Sequence, residues 1–220
     1  MKDAITAMRE KLAVTGKMLY KRRLADTSGG NISARVGDKI CLSPRYAGSK
    51  HRWQLTPDQV LVIDLEGNIL EGDGQLSRET KVHLGLHREF GEHGTGVIHA
   101  HPHNLLAFCA LGIPMPPVLE ANLKFGEIPV IDYAPAHSPD LAANVVGAIR
   151  GNEARIRTQA AGVIAPWHGV FLIGKDIDAA FDAVERLDTN AYIILMTGRL
   201  ADQLAPERAA LAAGVARYKE

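Results

Sequence analysis

The chain has 220 residues, of which 46% are hydrophobic and 23% are charged, and these proportions are typical of a soluble globular protein. Its 25 basic and 25 acidic side chains cancel to a formal net charge of zero. The longest basic run is the tripeptide KRR, so neither nucleic acid nor an anionic membrane surface is an expected partner.

The cysteines and the N-terminal segment indicate the compartment. Cys41 and Cys109 form no CxxC pair, so a disulfide framework is not expected. Charges occur throughout the first helix-like segment, and no apolar run in the sequence is long enough to span a bilayer. We therefore predict a cytoplasmic protein in which residues 1–220 form a single domain.

Short strands between two helices are predicted for the first part of the chain. Apolar residues at near-heptad spacing favour an amphipathic first helix, which the glycine-rich stretch ADTSGGNIS ends. Gly37-Asp38 and Glu66-Gly67-Asn68 indicate hairpin turns. The predicted elements are a helix over 3–24, strands over 31–36, 39–43, 60–65 and 69–72, and a helix over 77–90 with Ser77 as its N-cap.

Strands alternate with helices in the rest of the chain. The predicted elements are a buried strand over 95–101, a helix over 104–111, a strand over 127–133, a helix over 138–150 capped by Ser138, two strands around a tight bend over 161–174, and a long helix over 176–198. Because strands are bracketed by helices, the sequence predicts a single α/β sandwich.

Histidines at every second position follow the apolar strand in VIHAHPHN. Alternate side chains of a strand share a face, so His99 and His101 point the same way. Two neutral imidazoles in a core are costly unless each finds a partner, and one divalent ion would satisfy both. Purely structural histidines are the alternative. His103 follows Pro102, where capping is as compatible with the pattern as ligation.

A catalytic zinc needs about three protein ligands and an open position. The candidates for the third are His51, His83, His87, His93, His137 and His168. His168 is favoured because it lies between two apolar runs in PWHG, where Gly169 allows a tight turn that would aim the ring inward. His83 and His87 also have a metal-competent spacing, but we interpret them as a partly solvated helix face.

A carboxylate and a glycine-rich turn complete the candidate site. Glu79 begins a predicted helix, where it either caps the helix or moves protons beside a metal. Gly29, Gly30 and Asn31 either present N–H groups to an anion or form a plain turn. The pattern is neither GxGxxG nor GxxxxGK, so nucleotide binding has no specific support.

The motifs occur in a distinctive order. GGN-x-S lies near residue 30, S-x-E-x-x-x-H near 80, HxH near 100 and W-H-G-x-x-x-x-G near 168. Over about residues 5–200, this order resembles the class II aldolase/adducin family, and within it the fuculose-1-phosphate-aldolase-like enzymes. The resemblance implies a three-layer α/β sandwich, with a central, mainly antiparallel sheet flanked by helices. It also implies a homotetramer with active sites at subunit interfaces.

Site residues follow from the resemblance position by position. The metal ligands would be His99, His101 and His168, and the acid/base residue, which also ligates the resting metal, would be Glu79. Phosphate would be bound by Gly30, Asn31 and Ser77. Arg78 stands where the family has a second serine, and its guanidinium suits a carboxylate or phosphate.

Other positions depart from the family pattern. The family's phosphate loop falls in LSPRYAGSKHRWQLTPDQV, where an insertion at 45–52 brings Arg45, Lys50 and Arg52. Glu120 lies about where aldolases place a tyrosine, and Tyr218 is the candidate for a C-terminal tyrosine. These departures concern the aldehyde side of the substrate.

The resemblance implies a zinc-dependent aldolase, although Mn²⁺, Co²⁺ or Fe²⁺ suits the same ligands. Its substrate would be a phosphorylated sugar, a ketose 1-phosphate of the fuculose, 5-deoxyribulose or 5-methylthioribulose type. A sugar-acid-phosphate decarboxylase and a methylthioribulose-1-phosphate dehydratase are alternatives on the same metal site. An epimerase is disfavoured because its pattern resembles Ser-Ser-Asp. A non-catalytic, adducin-like scaffold is the alternative from another class.

Overall fold

The computed structural model describes residues 2–203, which contain six α-helices and seven β-strands. In chain order these are α1 (Lys2–Lys21), β1 (Asn31–Val36), β2 (Lys39–Leu42), β3 (Leu61–Ile63), β4 (Ile69–Glu71), α2 (Thr80–Phe90), β5 (Gly96–Ala100), α3 (Leu106–Leu111), α4 (Pro139–Ile149), α5 (Glu153–Thr158), β6 (Ala160–Ala165), β7 (Gly169–Gly174) and α6 (Ile177–Gln203). Short 3₁₀ helices span Pro57–Gln59 and Glu120–Phe125. Tyr218 lies outside the described residues.

All seven strands form one sheet in the order β4-β3-β2-β1-β5-β7-β6. Each neighbouring pair is antiparallel, and the central strands β1 and β5 pair with Asn31 opposite His99. β5 then pairs with β7, with His99 opposite Phe171. This register brings Asn31 and His99 side by side at one end of the sheet.

Helices cover both faces of the sheet. On one face, α1 and α6 pack their apolar side chains, among them Leu12 and Val184, against Ile32 and Ile98. On the other face, α2, α4 and α5 enclose a second core with Val97 and several other strand residues. The predicted three-layer α/β sandwich with an antiparallel sheet is therefore confirmed.

The strand period decides which face carries the polar side chains. Ile32 and Ala34 of β1 belong to the core under α1, so Asn31 and Ser33 point to the opposite face, beneath α2. His99 is on the same side because its neighbours Ile98 and Ala100 enter the α1 core. A polar row thus lies between the sheet and α2.

Two local predictions are wrong. Ser77 is not the N-cap of α2, because the helix begins at Thr80 and Glu79 occupies the cap position without a side-chain cap bond. The Ser77 carbonyl instead accepts hydrogen bonds from the Thr80 backbone and hydroxyl. No continuous strand forms over 127–133; the segment makes isolated bridges at Ile128 and Val130, and Pro129 between them has no N–H to donate.

No helix within residues 2–203 combines the length and the apolar character that a membrane span needs.

Candidate functional site

Three histidines converge at the end of the central strands. His99 and His101 come from the end of β5, and His168 comes from the turn between β6 and β7. One nitrogen of each ring lies within 4.8 Å of the others. Among the side chains that the structure describes, those of residues 4–198, no other three of His, Cys, Asp or Glu converge in this way. His103 is exposed, and its backbone N–H donates to the carbonyl of Arg23.

The ring nitrogens of His99 and His101 are arranged as ligands. His99 Nδ1–H donates to the Val170 carbonyl at 3.0 Å, which leaves Nε2 with its lone pair. His99 Nε2 and His101 Nε2 are 3.2 Å apart. Two imidazole nitrogens bound to one tetrahedral zinc ion, at about 2.0–2.1 Å each, lie roughly 3.3 Å from one another. The observed separation therefore fits a shared ion.

Burial keeps the imidazoles of His99 and His168 in the form that binds metals. Desolvation lowers the pKa of His99 well below its usual range, and the neighbouring rings of His101 and His168 lower it further. Burial also lowers the pKa of His168, against the opposing charge of Glu79. Since a metal ligand must be a neutral imidazole, both rings are suited to divalent metal binding.

Asp26 is a functional candidate that the sequence reading missed. Its Oδ1 lies 3.5 Å from His101 Nδ1 and accepts hydrogen bonds from the backbone N–H groups of Ser28 and Gly29. A carboxylate beside the outer nitrogen of a histidine fixes the orientation of the ring. The only sequence signal was its place at the start of the glycine-rich turn.

Two glycines leave room for the imidazole rings. A Cβ at Gly29 would overlap Cε1 of His101 and stand 2.8 Å from its Nε2. A Cβ at Gly169 would stand 2.7 Å from Cδ2 of His101 and 3.1 Å from Cε1 of His99. The expected role of Gly169 in a tight turn is not observed, because the left-handed residue of that turn is Trp167, at φ 58°.

Glu79 lies beside the histidines with its two oxygens in different surroundings. Oε2 accepts a hydrogen bond from Asn31 Nδ2 at 2.8 Å and lies 3.4 Å from the Ser77 hydroxyl. Oε1 is 3.7 Å from His168 Nε2. The structure thus brings one anchored and one available carboxylate oxygen to the edge of the histidine group.

His83 and His87 are not a solvated helix face, and that interpretation was wrong. Both side chains are completely buried against the sheet, because α2 lies over the polar row of β1. The Ser33 hydroxyl contacts both rings. Neither histidine belongs to the converging group.

The predicted substrate residues border one cavity next to Glu79. Gly30, Asn31, Ser77 and Arg78 all line it, in a volume of about 170 Å³. Residues 44–49 form the opposite wall, so the insertion contributes Arg45 to the same space. Nε of Arg45 is buried and makes no hydrogen bond to any described residue. The cavity therefore has polar groups and two cations available for an anionic ligand.

Trp53 fixes the inserted segment to the rest of the site. Its ring is fully buried, and Nε1 donates to the Asp26 carbonyl at 3.3 Å. Arg45 and Lys50 both stack on the ring of Tyr46. These contacts hold the segment in place as one wall of the cavity.

Comparison with known proteins supplies the family. The family model of the class II aldolase and adducin N-terminal domain matches residues 10–195. The chain belongs to this family. It is an enzyme of the class II aldolase group of lyases, whose members depend on a metal ion.

Individual relatives carry two kinds of activity. An L-fuculose phosphate aldolase of Methanococcus maripaludis is 30% identical over 178 residues, which cover 80% of this chain and 90% of the relative. A 3-oxo-tetronate 4-phosphate decarboxylase of Haemophilus influenzae is 28% identical over 195 residues, covering 85% and 86%. Among solved structures, an L-fuculose 1-phosphate aldolase has a TM-score of 0.76 at 23% identity, covering 87% of this chain and 86% of that one. This last similarity supports the fold.

Proposed function

We propose that this enzyme is a zinc-dependent aldolase that reversibly cleaves a ketose 1-phosphate to dihydroxyacetone phosphate and an aldehyde. The observation that supports it most is the joint position of the three imidazoles and Glu79. The rings of His99, His101 and His168 converge, and Glu79 Oε1 lies 3.7 Å from Nε2 of His168. Carbon–carbon cleavage beside a carbonyl needs stabilised negative charge and a proton carrier, and this arrangement offers both.

The metal would be held by His99, His101 and His168, with Glu79 as a further ligand in the absence of substrate. A bound divalent ion would supply Lewis-acid stabilisation of the negative charge that develops on the substrate oxygens. Three imidazoles and an open position suit zinc, and Mn²⁺, Co²⁺ or Fe²⁺ fits the same donors.

Glu79 would carry the proton. Asn31 and Ser77 hold Oε2, so Oε1 is the oxygen free to exchange a proton with a carbon atom of the substrate. In the cleavage direction, the hydroxyl of the carbon that becomes the aldehyde gives up its proton as the carbon–carbon bond breaks, and Glu79 would return a proton to the carbon from which the aldehyde has departed. Such general acid/base help contributes about 10²–10⁴-fold in rate.

The cavity beside Glu79 would bind the phosphate. Gly30, Asn31, Ser77 and Arg78 line it, and the guanidinium of Arg78 pairs well with a phosphate dianion. Because the phosphate does not react, its binding energy is available to position the bond that breaks. Fuculose, 5-deoxyribulose and 5-methylthioribulose 1-phosphates each carry a phosphate group that takes no part in the carbon–carbon cleavage.

The arginines also favour a second candidate, a decarboxylase of a sugar-acid phosphate. Arg45 and Arg78 line the same cavity, so a phosphate and a carboxylate could each meet a guanidinium there. The relative named as a 3-oxo-tetronate 4-phosphate decarboxylase supports this possibility. In such a reaction carbon dioxide replaces the aldehyde as the departing group, and Glu79 keeps its proton-carrying role.

A homotetramer with cytoplasmic location belongs to the proposal. Trp167, which is 77% exposed, contacts Tyr133, which is 61% exposed, next to the histidine group. Apolar surface of this kind beside a site supports a subunit contact there. Light scattering should give about four times the chain mass of 23.8 kDa.

The deciding experiment measures dihydroxyacetone phosphate release from a panel of fuculose, rhamnulose, 5-deoxyribulose and 5-methylthioribulose 1-phosphates. Each reaction is run with and without a chelator, and a parallel arm measures carbon dioxide release from 3-oxo-tetronate 4-phosphate. Chelator-sensitive release of dihydroxyacetone phosphate supports the aldolase. Carbon dioxide release alone from the zinc-loaded enzyme would replace it with the decarboxylase, and neither product would overturn both.

A further inference from the structure

A row of four buried polar side chains lies between α2 and strand β1 and ends at Glu79. His87 Nε2 lies 2.7 Å from Ser33 Oγ, and Ser33 Oγ lies 2.6 Å from His83 Nδ1. His83 Nε2 lies 2.5 Å from Asn31 Oδ1, and Asn31 Nδ2 donates to Glu79 Oε2 at 2.8 Å. Ser33 and both histidines are completely buried, so none of these contacts competes with water.

The direction of every hydrogen in this row follows from its two ends. A carboxylate only accepts hydrogen bonds, so Asn31 must turn its NH₂ group to Glu79 and its Oδ1 to His83. Oδ1 also only accepts, so His83 must carry its hydrogen on Nε2. A neutral imidazole has one N–H, and His83 Nδ1 must therefore accept the hydroxyl hydrogen of Ser33.

His87 completes the row. Since the Ser33 hydroxyl donates to His83, its oxygen is left to accept, and His87 must place its hydrogen on Nε2. His87 Nδ1 is then a bare acceptor, and it is indeed a buried atom without a hydrogen bond to the described residues. Burial lowers the pKa of both histidines to about 3, which keeps each ring neutral with a single N–H.

We propose that His87, Ser33, His83 and Asn31 form a one-way chain of donors that holds Glu79 with Oε2 anchored and Oε1 directed to the histidine group. His83 is a positioning residue in this arrangement. It presents only an N–H to Asn31 Oδ1, so an amide flip at Asn31 would oppose donor to donor and acceptor to acceptor. The inference rests on the proposed role of Glu79 as the proton carrier.

The first test reads the hydrogens directly and needs no substrate. Long-range ¹H–¹⁵N spectra of the ¹⁵N-labelled, zinc-loaded protein distinguish the two neutral tautomers of each histidine. We expect His83 and His87 to carry their hydrogen on Nε2. Ser33→Ala should leave the His83 hydrogen on Nε2, where Asn31 Oδ1 still accepts it, and should convert His87 to a mixture of tautomers, because the hydroxyl oxygen that accepts its N–H is gone. A wild-type His83 with its hydrogen on Nδ1 would overturn the chain.

The second test separates positioning from folding with a matched pair of variants. The amide nitrogen of Gln reaches about as far as Nε2 of His, whereas Asn reaches only about as far as Nδ1. His83→Gln therefore keeps a donor for Asn31, and His83→Asn loses it. For the substrate that the wild type cleaves, kcat should fall roughly 10- to 100-fold in His83→Asn, with KM and zinc content little changed, and should recover in His83→Gln.

Asn190→Ala is the control for losing a buried amide. Asn190 is completely buried and, among the described residues, bonds to the backbone of Pro116 and Val118 and to none of the histidine group, so its loss should lower stability without lowering kcat. If His83→Asn does not fold, His83→Leu, which also has no donor for Asn31, carries the kinetic test with the same expected direction. Equal kcat in wild type and His83→Asn would refute the positioning role. A wild type that cleaves no substrate would refute the proposed function instead, while the spectra still decide the chain.

Discussion

Two pairs of buried histidines lie within one site, and their hydrogen bonds assign them different roles. His99 and His101 have strand spacing, and their Nε2 atoms face each other at 3.2 Å. His83 and His87 have helix spacing, and three of their four ring nitrogens are bonded to Ser33 or Asn31. The Nε2 atoms of the strand pair face one shared space in which an ion would lie. The helix pair already uses three of its four ring nitrogens in hydrogen bonds within the protein.

The difference teaches that spacing and burial do not identify a metal ligand. Both pairs satisfy the usual patterns, and burial lowers the pKa of His99, His83 and His87 alike. The two pairs differ in how many ring nitrogens are free of hydrogen bonds to the protein, and this number depends on residues distant in sequence. A metal would therefore be expected at the strand pair and structural support at the helix pair.

The largest effect is expected from removal of the His168 imidazole, which the strand pair needs to hold an ion. His168→Ala leaves two nitrogens for the ion, and we expect loss of bound zinc and of activity with the fold intact. Metal analysis per chain, circular dichroism and the product assay check the three parts. His103→Ala, at an exposed position outside the group, should keep both zinc and activity. Stoichiometric zinc with full activity in His168→Ala would reassign the third ligand.

Replacement of the proposed proton carrier should have the next largest effect. Glu79→Gln keeps the hydrogen bond of Asn31 to a side-chain oxygen but removes the exchangeable carboxylate, so turnover should fall at least about 10²-fold. Zinc content and substrate binding, measured by calorimetry, should be retained. A nearly unchanged rate would leave Glu79 with only a structural role at the start of α2.

The strand pair was predictable from sequence, and the helix pair was not. Period-two spacing after an apolar run places His99 and His101 on one face whatever the rest of the chain does. The burial of His83 and His87 depends on which strand lies beneath α2, and β1 is 50 residues away from His83 at Ser33. Local periodicity contains no information about such a partner, so the helix face looked solvated.

Other misses have the same cause. Asp26 faces His101 because the turn before β1 folds against the end of β5. Ser28 in this turn contacts His101, which is 73 residues further along the chain. The inserted segment forms a cavity wall because Trp53 is buried beneath that turn, and the local sequence gives no sign of this contact. The fold itself was predicted well because the seven strands and five of the six α-helices were recognisable from local sequence patterns. The short helix α5 was not predicted, and the segment 127–133 was predicted as a strand that does not form.

A methyl group at Gly29 should disturb the strand pair of histidines and leave the helix pair unchanged. Its Cβ would overlap the His101 ring, so Gly29→Ala should displace one ligand and weaken zinc binding by roughly 10- to 100-fold. His83 and His87 should be undisturbed, as their ¹⁵N spectra would show. Gly37→Ala places its methyl in open space and should leave zinc affinity unchanged. Equal zinc affinity in Gly29→Ala and wild type would mean that His101 does not bind the ion where the structure places it.

The smallest expected effect is a slope of stability against pH, and it belongs to the helix pair. Burial lowers the pKa of His83 and His87 from 6.5 to about 3, so between these values the unfolded chain binds more protons than the folded one. The free energy of unfolding should therefore be largest above pH 6.5 and fall as the pH drops toward 3, by about 1.4 kcal/mol per pH unit for each histidine in the steep range. Urea unfolding of the metal-free protein at several pH values measures this slope. His83→Gln with His87→Gln removes both titrations while the other histidines remain, so the double variant should show a shallower dependence than wild type. Parallel curves would mean that the helix pair takes up protons in the folded protein as easily as in the unfolded chain, and the fixed direction of hydrogens beneath α2 would then fail with it.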